Sequence, residues 1–156
     1  MSEKTNVRPA RREDLEAILA LQGCSSEAPQ WSEAIWRDLQ QSGAMTAPAR
    51  GVFVAESRGQ VAGFVVARSV DGLAELESIV VDQAERRRGI GRALCERVIA
   101  WAREQAALMV ELEVRAGNDR ARSFYRSLGF EEQGTRRNYY RAPVEDAVVM
   151  TLPLHA

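Results

Sequence analysis

The sequence predicts a mixed α/β fold, helices packed on a sheet, and three observations carry that prediction. Segments with apolar residues at helical spacing alternate along the chain with runs rich in β-formers. A glycine-bearing turn, Arg86-x-x-Gly89-x-Gly91, joins one such run to a long amphipathic helix. No repeat, low-complexity tract or linker interrupts the pattern, so residues 1–156 read as one domain.

Residues 7–10 read as a short edge strand, where Pro9 is tolerated. Leu15, Ile18, Leu19 and Gln22 share a helix face, with Glu13 and Asp14 in the first turn, where the helix dipole favours acids. Ser32 is the N-cap of a second helix that carries Ile35, Trp36 and Leu39 on one side. Residues 43–51, with Pro48, read as a loop. Two strands, 52–56 and 61–68, flank a hairpin turn at 57–60, and a third, 73–81, is entered through Asp71-Gly72. Ile90, Leu94, Val98 and Trp101 form the buried stripe of the long helix, beside Ala93, Ile99 and Ala102. Residues 108–114 are a strand, after which Asn118 and Asp119 offer caps for a helix running through Leu128 and stopping at Gly129. Residues 130–139 and 147–152 complete the chain as two strands, expected to be antiparallel.

Composition excludes several functions. With 22 acidic against 21 basic side chains, the chain has no overall field to attract nucleic acid, so no direct nucleic-acid partner is expected. No run approaches the roughly 18 apolar residues of a membrane span, and residues 1–6 lack the apolar stretch of a secretory signal. The expectation is a cytoplasmic protein with no membrane partner. Cys24 and Cys95 make no CxxC pair, and the only histidine is His155 near the end of the chain, which argues against a zinc site and against a His-activated nucleophile.

The turn at 86–91 carries the chemistry. Two glycines let the backbone approach an anion without Cβ obstruction. The first-turn amides of a helix lack internal partners and point outward, with the positive end of the dipole behind them. A pyrophosphate fits that position, and Arg87, Arg88 and Arg92 add charge-assisted contacts. A glycine turn with a solvated arginine cluster is an equally good reading of the spacing alone. The other phosphate motifs are missing: there is no GxxxxGK run, and no GxGxxG after the first strand.

An Arg-x-x-Gly-x-Gly loop between a strand and a helix resembles the pyrophosphate loop of the GNAT acetyltransferase superfamily. Residues 112–118, Leu-Glu-Val-Arg-Ala-Gly-Asn, and 124–130, Phe-Tyr-Arg-Ser-Leu-Gly-Phe, are similar to that superfamily's C-terminal half. Residues 136–140, Arg-Arg-Asn-Tyr-Tyr, with Glu145-Asp146-Ala147 and Pro29-x-Trp31-Ser32, resemble its RimI branch, the ribosomal-protein-alanine N-acetyltransferases. The resemblance implies a central mixed, mostly antiparallel sheet flanked by helices, and acetyl-CoA as co-substrate without a metal. It also implies an acceptor protein or peptide N-terminus, here a ribosomal protein beginning with alanine. In its terms Ile79, Val80 and Val81 present backbone groups to the pantetheine arm, Arg87, Arg88, Gly89, Ile90, Gly91 and Arg92 wrap the pyrophosphate, and Asn118 also contacts the cofactor. Glu113 matches the general base and Tyr125 the general acid. The chain departs from the branch pattern at Gln83, where a proline is usual, at Gln30, which is inserted, and in a short loop between Tyr140 and Glu145.

The chemistry is consistent with those roles. An α-amine of pKa near ~8 is mostly ammonium at neutral pH and must lose a proton before it attacks a thioester. Glu111, Glu113 and Arg115 share one strand face, Val110, Leu112 and Val114 the other. Without the resemblance, Glu111 and Glu113 read sooner as carboxylates decorating a solvated face than as catalytic groups; Glu111 is the residue most easily confused with the base, and Glu77 is a further candidate. Tyr125 is either the acid that protonates a departing thiolate or an aromatic packed on Phe124, Leu128 and Phe130. Trp31, Tyr139 and Tyr140 either line an acceptor groove or sit as half-buried rim aromatics. The competing functions are acetylation of a small-molecule amine or a lysine side chain, and an acyl-CoA-binding module without catalysis.

Overall fold

A computed structural model describes residues 5–25, 28–41, 49–85, 89–141 and 143–154. The described residues form a seven-stranded sheet flanked by four α-helices. The strands are β1 (Asn6–Pro9), β2 (Ala49–Ser57), β3 (Gln60–Val70), β4 (Leu73–Val81), β5 (Met109–Arg115), β6 (Glu131–Tyr140) and β7 (Glu145–Pro153). They lie in the order β1-β2-β3-β4-β5-β7-β6. Only the β4–β5 pair is parallel. The helices are α1 (Leu15–Gly23), α2 (Glu33–Gln41), α3 (Ile90–Glu104) and α4 (Asp119–Ser127). The expected mixed, mostly antiparallel sheet is what the chain forms.

Both sheet faces are covered. The α3 stripe of Ile90, Leu94, Val98 and Trp101 packs on Phe53, Ala55, Val65, Ala67 and Leu76. On the opposite face Ile18 of α1 and Trp36 of α2 pack on Val54, Phe64, Val66 and Val80. Trp36 is fully buried, edge-on to Trp31 (ring centroids 5.1 Å apart) and to Phe64 (5.2 Å). Truncating so large a buried side chain costs about 3–5 kcal/mol.

Two expectations change. Ile35 is 45% exposed, because Trp36, with Leu39 beside it, fills the space between α2 and the sheet and leaves Ile35 one helical step outside it. The segment read as a loop to residue 51 becomes strand from Ala49. Gly51 there marks a close approach rather than a bend, since a Cβ on it would lie 2.9 Å from the Trp101 indole. The rest of that segment, residues 43–48, lies outside the described residues.

The expected caps form. Ser32 Oγ accepts from the Ile35 amide (3.3 Å) and Asn118 Oδ1 from the Ala121 amide (3.1 Å). The inserted Gln30 closes the far end of α1, its Nε2 donating to the carbonyls of Gln22 (2.8 Å) and Ser25 (3.1 Å). Buried Gln22 in turn donates to the Trp31 carbonyl (2.8 Å) and accepts from the Trp31 amide (3.1 Å) and Trp36 Nε1 (2.9 Å). The chain between α1 and α2 is thereby tied to the core.

Candidate active site

The parallel ladder between β4 and β5 is only three pairs long, from Leu73↔Met109 to Glu75↔Glu111. Beyond it β4 stays with β3 as far as Val81, and β5 stays with β7 as far as Arg115. The sheet therefore splits. A β-bulge at the split leaves Glu77 as an extra residue, with Leu76 opposite Ala67 and Ser78 opposite Val66. It reverses which face each later side chain takes: Leu76 lies under α3, Val80 under α1 and α2.

The split opens a cleft of about 1430 Å³, lined by β4, β5, the start of α3, α4 and the α1–α2 connection. Among the described strands none pairs with this edge of β4 beyond Glu75. The Asp82 amide donates to the Ala62 carbonyl of β3 (2.8 Å), so by alternation Val80 also turns its backbone groups to β3. The donors and acceptors of Ile79 and Val81 then face the cleft, and those of Val80 face β3. At the mouth Gly89 is the N-cap of α3 with φ +79°, a left-handed conformation that side chains rarely adopt. Among the described residues, its chain neighbours aside, a Cβ there would meet no atom within 4 Å. Ile90, Gly91 and Arg92 follow it along the cleft wall. Arg87 and Arg88 lie outside the described residues.

Glu113 points from β5 to the face away from α3, while Val110, Leu112 and Val114 take the α3 side. Its surroundings are polar. Arg136 Nε of β6 lies 2.9 Å from Glu113 Oε1, and the same guanidinium lies 3.9 Å from Glu111. The Tyr139 phenol is hydrogen-bonded to Glu113, and that bond with the carboxylate raises the phenol above its ordinary value of 10.0. These partners reach across β7, where a small residue, Ala147, stands between Arg115 and Arg136. Neighbouring carboxylates on this face are paired too: Glu75 with Arg68 (2.6 Å) and Glu77 with Arg50.

Tyr125 on α4 lines the cleft and is otherwise buried, packed on Phe124 (5.2 Å) and Phe130 (5.8 Å). Burial holds its phenol well above the usual value, so it keeps its proton. Burial likewise pushes the Cys95 thiol up to about 12, which makes it inert as a nucleophile. Trp31, Tyr139, Tyr140 and Asn118 line the same cleft. The Arg115 guanidinium sits 4.4 Å over the Tyr140 ring, and Tyr140 meets Tyr139 edge-on at 5.2 Å. The described part of every expected site segment is thus gathered around one cavity. The pairing of Glu113 with Arg136 and Tyr139 carried no signal in the sequence, because nothing in residue types shows which arginine will cross a strand.

Among the described residues no group of three or more His, Cys, Asp or Glu is placed to hold a metal, and no helix is long and apolar enough to cross a membrane. By its family and relatives the chain is an N-acetyltransferase. Residues 14–130 match the acetyltransferase (GNAT) family, and the chain belongs to it. Over 104 residues it is 40% identical to the ribosomal protein bS18-alanine N-acetyltransferase of Escherichia coli K12, covering 65% of this chain and 70% of that protein. It matches the crystal structure of the ribosomal-protein-S18-alanine N-acetyltransferase from Escherichia coli with a TM-score of 0.83 at 32% identity, over 98% of this chain and 96% of the other. At the level of fold alone it also matches yncA from Salmonella typhimurium, solved with its cofactor acetyl-CoA (TM-score 0.82, 21% identity, 98% and 95% covered).

Proposed function

We propose that this chain, as a single cytoplasmic domain over residues 1–156, moves the acetyl group of acetyl-CoA to a protein N-terminal α-amine, specifically the N-terminal alanine of a small-subunit ribosomal protein. One observation carries the reading: a strand edge that no described strand pairs, a helix N-terminus, a carboxylate and a proton-bearing phenol all line one cleft. The Escherichia coli relatives, N-acetyltransferases of ribosomal-protein alanine, suggest the acceptor.

The residues suit acetyl-CoA. An extended pantetheine arm has amide donors and acceptors of its own, which match the outward backbone groups of Ile79 and Val81 as an added strand would. The amides after Gly89 suit a diphosphate, with Arg87, Arg88 and Arg92 as counter-charges. Asn118, its Oδ1 engaged in the α4 cap, holds the wall at the far side. Bound there, the co-substrate supplies an activated thioester. Glu113 removes a proton from the acceptor ammonium, Tyr125 gives its proton to the departing thiolate, and Trp31, Tyr139 and Tyr140 border the acceptor.

The test is mass spectrometry of products after incubation with acetyl-CoA and either Ala-initiated tetrapeptides or free polyamines. Acetylation confined to the peptide α-amine is expected; polyamine or lysine products would replace this acceptor with another. The Glu113→Gln variant is expected to lose about 10²-fold or more in turnover with acetyl-CoA binding unchanged. Equal loss of both would reduce Glu113 to a scaffold residue.

A further inference from the structure

We propose that Arg136 is a positioning residue that occupies Glu113 in the resting enzyme and yields it to the incoming ammonium, stepping across to Glu111. The inference rests on Glu113 being the base.

The geometry is that of one cation shared by two carboxylates. Arg136 Nε stands 2.9 Å from Glu113 Oε1, while another nitrogen of the same guanidinium, NH2, stands 3.9 Å from Glu111 Oε1. Glu111 and Glu113 are two residues apart on β5, so their side chains emerge on the same face. A small rotation of a long, half-exposed side chain therefore exchanges one partner for the other. The Arg136 side chain is 53% exposed, whereas Glu111 and Glu113 are 20% and 21% exposed, so the cation is the mobile member of the three.

The acceptor needs the place that Arg136 holds. An ammonium must reach Glu113 to hand over a proton, and a guanidinium on the same carboxylate repels it and fills its hydrogen-bonding sites. Tyr139, bonded to Glu113 as well, is neutral, fills one site and does not repel the ammonium. Displacement by the ammonium leaves Arg136 paired rather than stranded, because Glu111 is already within reach. Glu111, whose sequence reading was an exposed carboxylate or a rival base, becomes the alternative seat. Its own separation from the guanidinium, near the limit of an ion pair, fits a partner used in turn.

Removing the competitor should tighten acceptor binding. In Arg136→Gln, acceptor KM is expected to fall about two- to five-fold, the worth of a partly exposed ion pair, with kcat within twofold and acetyl-CoA KM unchanged. Arg136→Lys, which keeps a cation there, should restore the wild-type acceptor KM. Glu111→Gln should raise acceptor KM by a similar factor, because the displaced arginine then has no second seat, and this effect should vanish in Arg136→Gln/Glu111→Gln. A rise in acceptor KM on Arg136→Gln, or no change, overturns the proposal. Glu113→Gln separates the two levels: if it leaves kcat intact, the assignment of the base fails. If it abolishes turnover while Arg136→Gln leaves acceptor KM alone, only the displacement fails.

Discussion

Gly63 of β3 lies against two elements of the cleft wall, β4 and α3, and Gly63→Ala tests how tightly the three are packed. A Cβ at this position would lie 2.8 Å from the Val80 carbonyl oxygen, 3.2 Å from Leu94 Cδ1 and 3.3 Å from Ile90 Cγ2. The first contact is with backbone in a paired strand and cannot be relieved by a rotamer change. The other two are with fully buried side chains of α3. Relief requires β4 or α3 to move, and overpacking of this kind costs about 1–3 kcal/mol. The upper half of that range, about 2–3 kcal/mol, is expected here, which at roughly 2–4 °C per kcal/mol lowers Tm by about 4–12 °C. Urea unfolding followed by far-UV circular dichroism measures it, with Gly134→Ala as control, since a Cβ on Gly134 meets nothing within 4 Å. Because Val80 adjoins Ile79 and Val81, and Ile90 begins α3, acetyl-CoA affinity should fall with stability. A Gly63→Ala protein as stable as Gly134→Ala, within about 0.5 kcal/mol, would refute the close approach.

Other expectations follow from the same contacts. Gly23 ends α1 without a positive φ and with open space around it, so Gly23→Ala should raise stability by about 0.4–1 kcal/mol in the same urea assay. Tyr125→Phe keeps the ring contacts with Phe124 and Phe130 and removes only the proton, so turnover should fall about 10²-fold while Tm changes by a degree or two; an unchanged kcat would exclude Tyr125 as the acid. Acid should unfold the protein through two carboxylates. The Arg8 guanidinium, bonded to buried Asp14 at 2.7 and 3.0 Å, holds the Asp14 carboxyl below its ordinary 3.8, and Arg122 with Arg126 holds Glu132 at about 2 against 4.5. Both are depressed on folding, so their contribution is complete above the unfolded values and drains away as pH falls from about 4.5 toward 2. Asp14→Asn should flatten that acid limb of a Tm-against-pH curve and cost about 1.5–3 kcal/mol at neutral pH by weakening the charge-assisted bonds to Arg8, which keeps Glu56 as its remaining partner.

Elements whose boundaries are set by local chemistry were legible in the sequence. Ser32 and Asn118 are caps because a side-chain oxygen satisfies an amide three residues on, and no distant residue is needed. Gly89 opens a helix because its own φ is positive. Gly51 reads as loop in the sequence because glycine in a turn and glycine under an indole differ only through Trp101, which is distant along the chain. Ile35 and Trp36 are both apolar and adjacent, and only the room between α2 and Phe64 decides which one is buried. The Glu113–Arg136 pair needs β7 between β5 and β6, an order that no spacing along the chain encodes.

The bulge at Glu77 was the least legible feature, and it matters most to the site. A period-two reading of β4 places Ala74, Leu76, Ser78 and Val80 on one face, and all four are indeed buried. They are buried on opposite sides: Ala74 and Leu76 under α3, Val80 against Ile18 and Trp36. One extra residue reverses the alternation and adds local twist, which turns the rest of β4 away from β5. The parallel ladder has already ended at Glu75, two residues earlier. Antiparallel pairing to β3 continues undisturbed to Val81, so the strand remains anchored on one edge while no described strand pairs with the other. Glu77 itself is tied to Arg50 of β2 across β3, which fixes the bulge on the sheet face that carries Glu113. The cleft thus follows from how one strand is paired: a wedge cut into an otherwise continuous sheet, with β4 backbone on one wall and the carboxylate of Glu113 on the other.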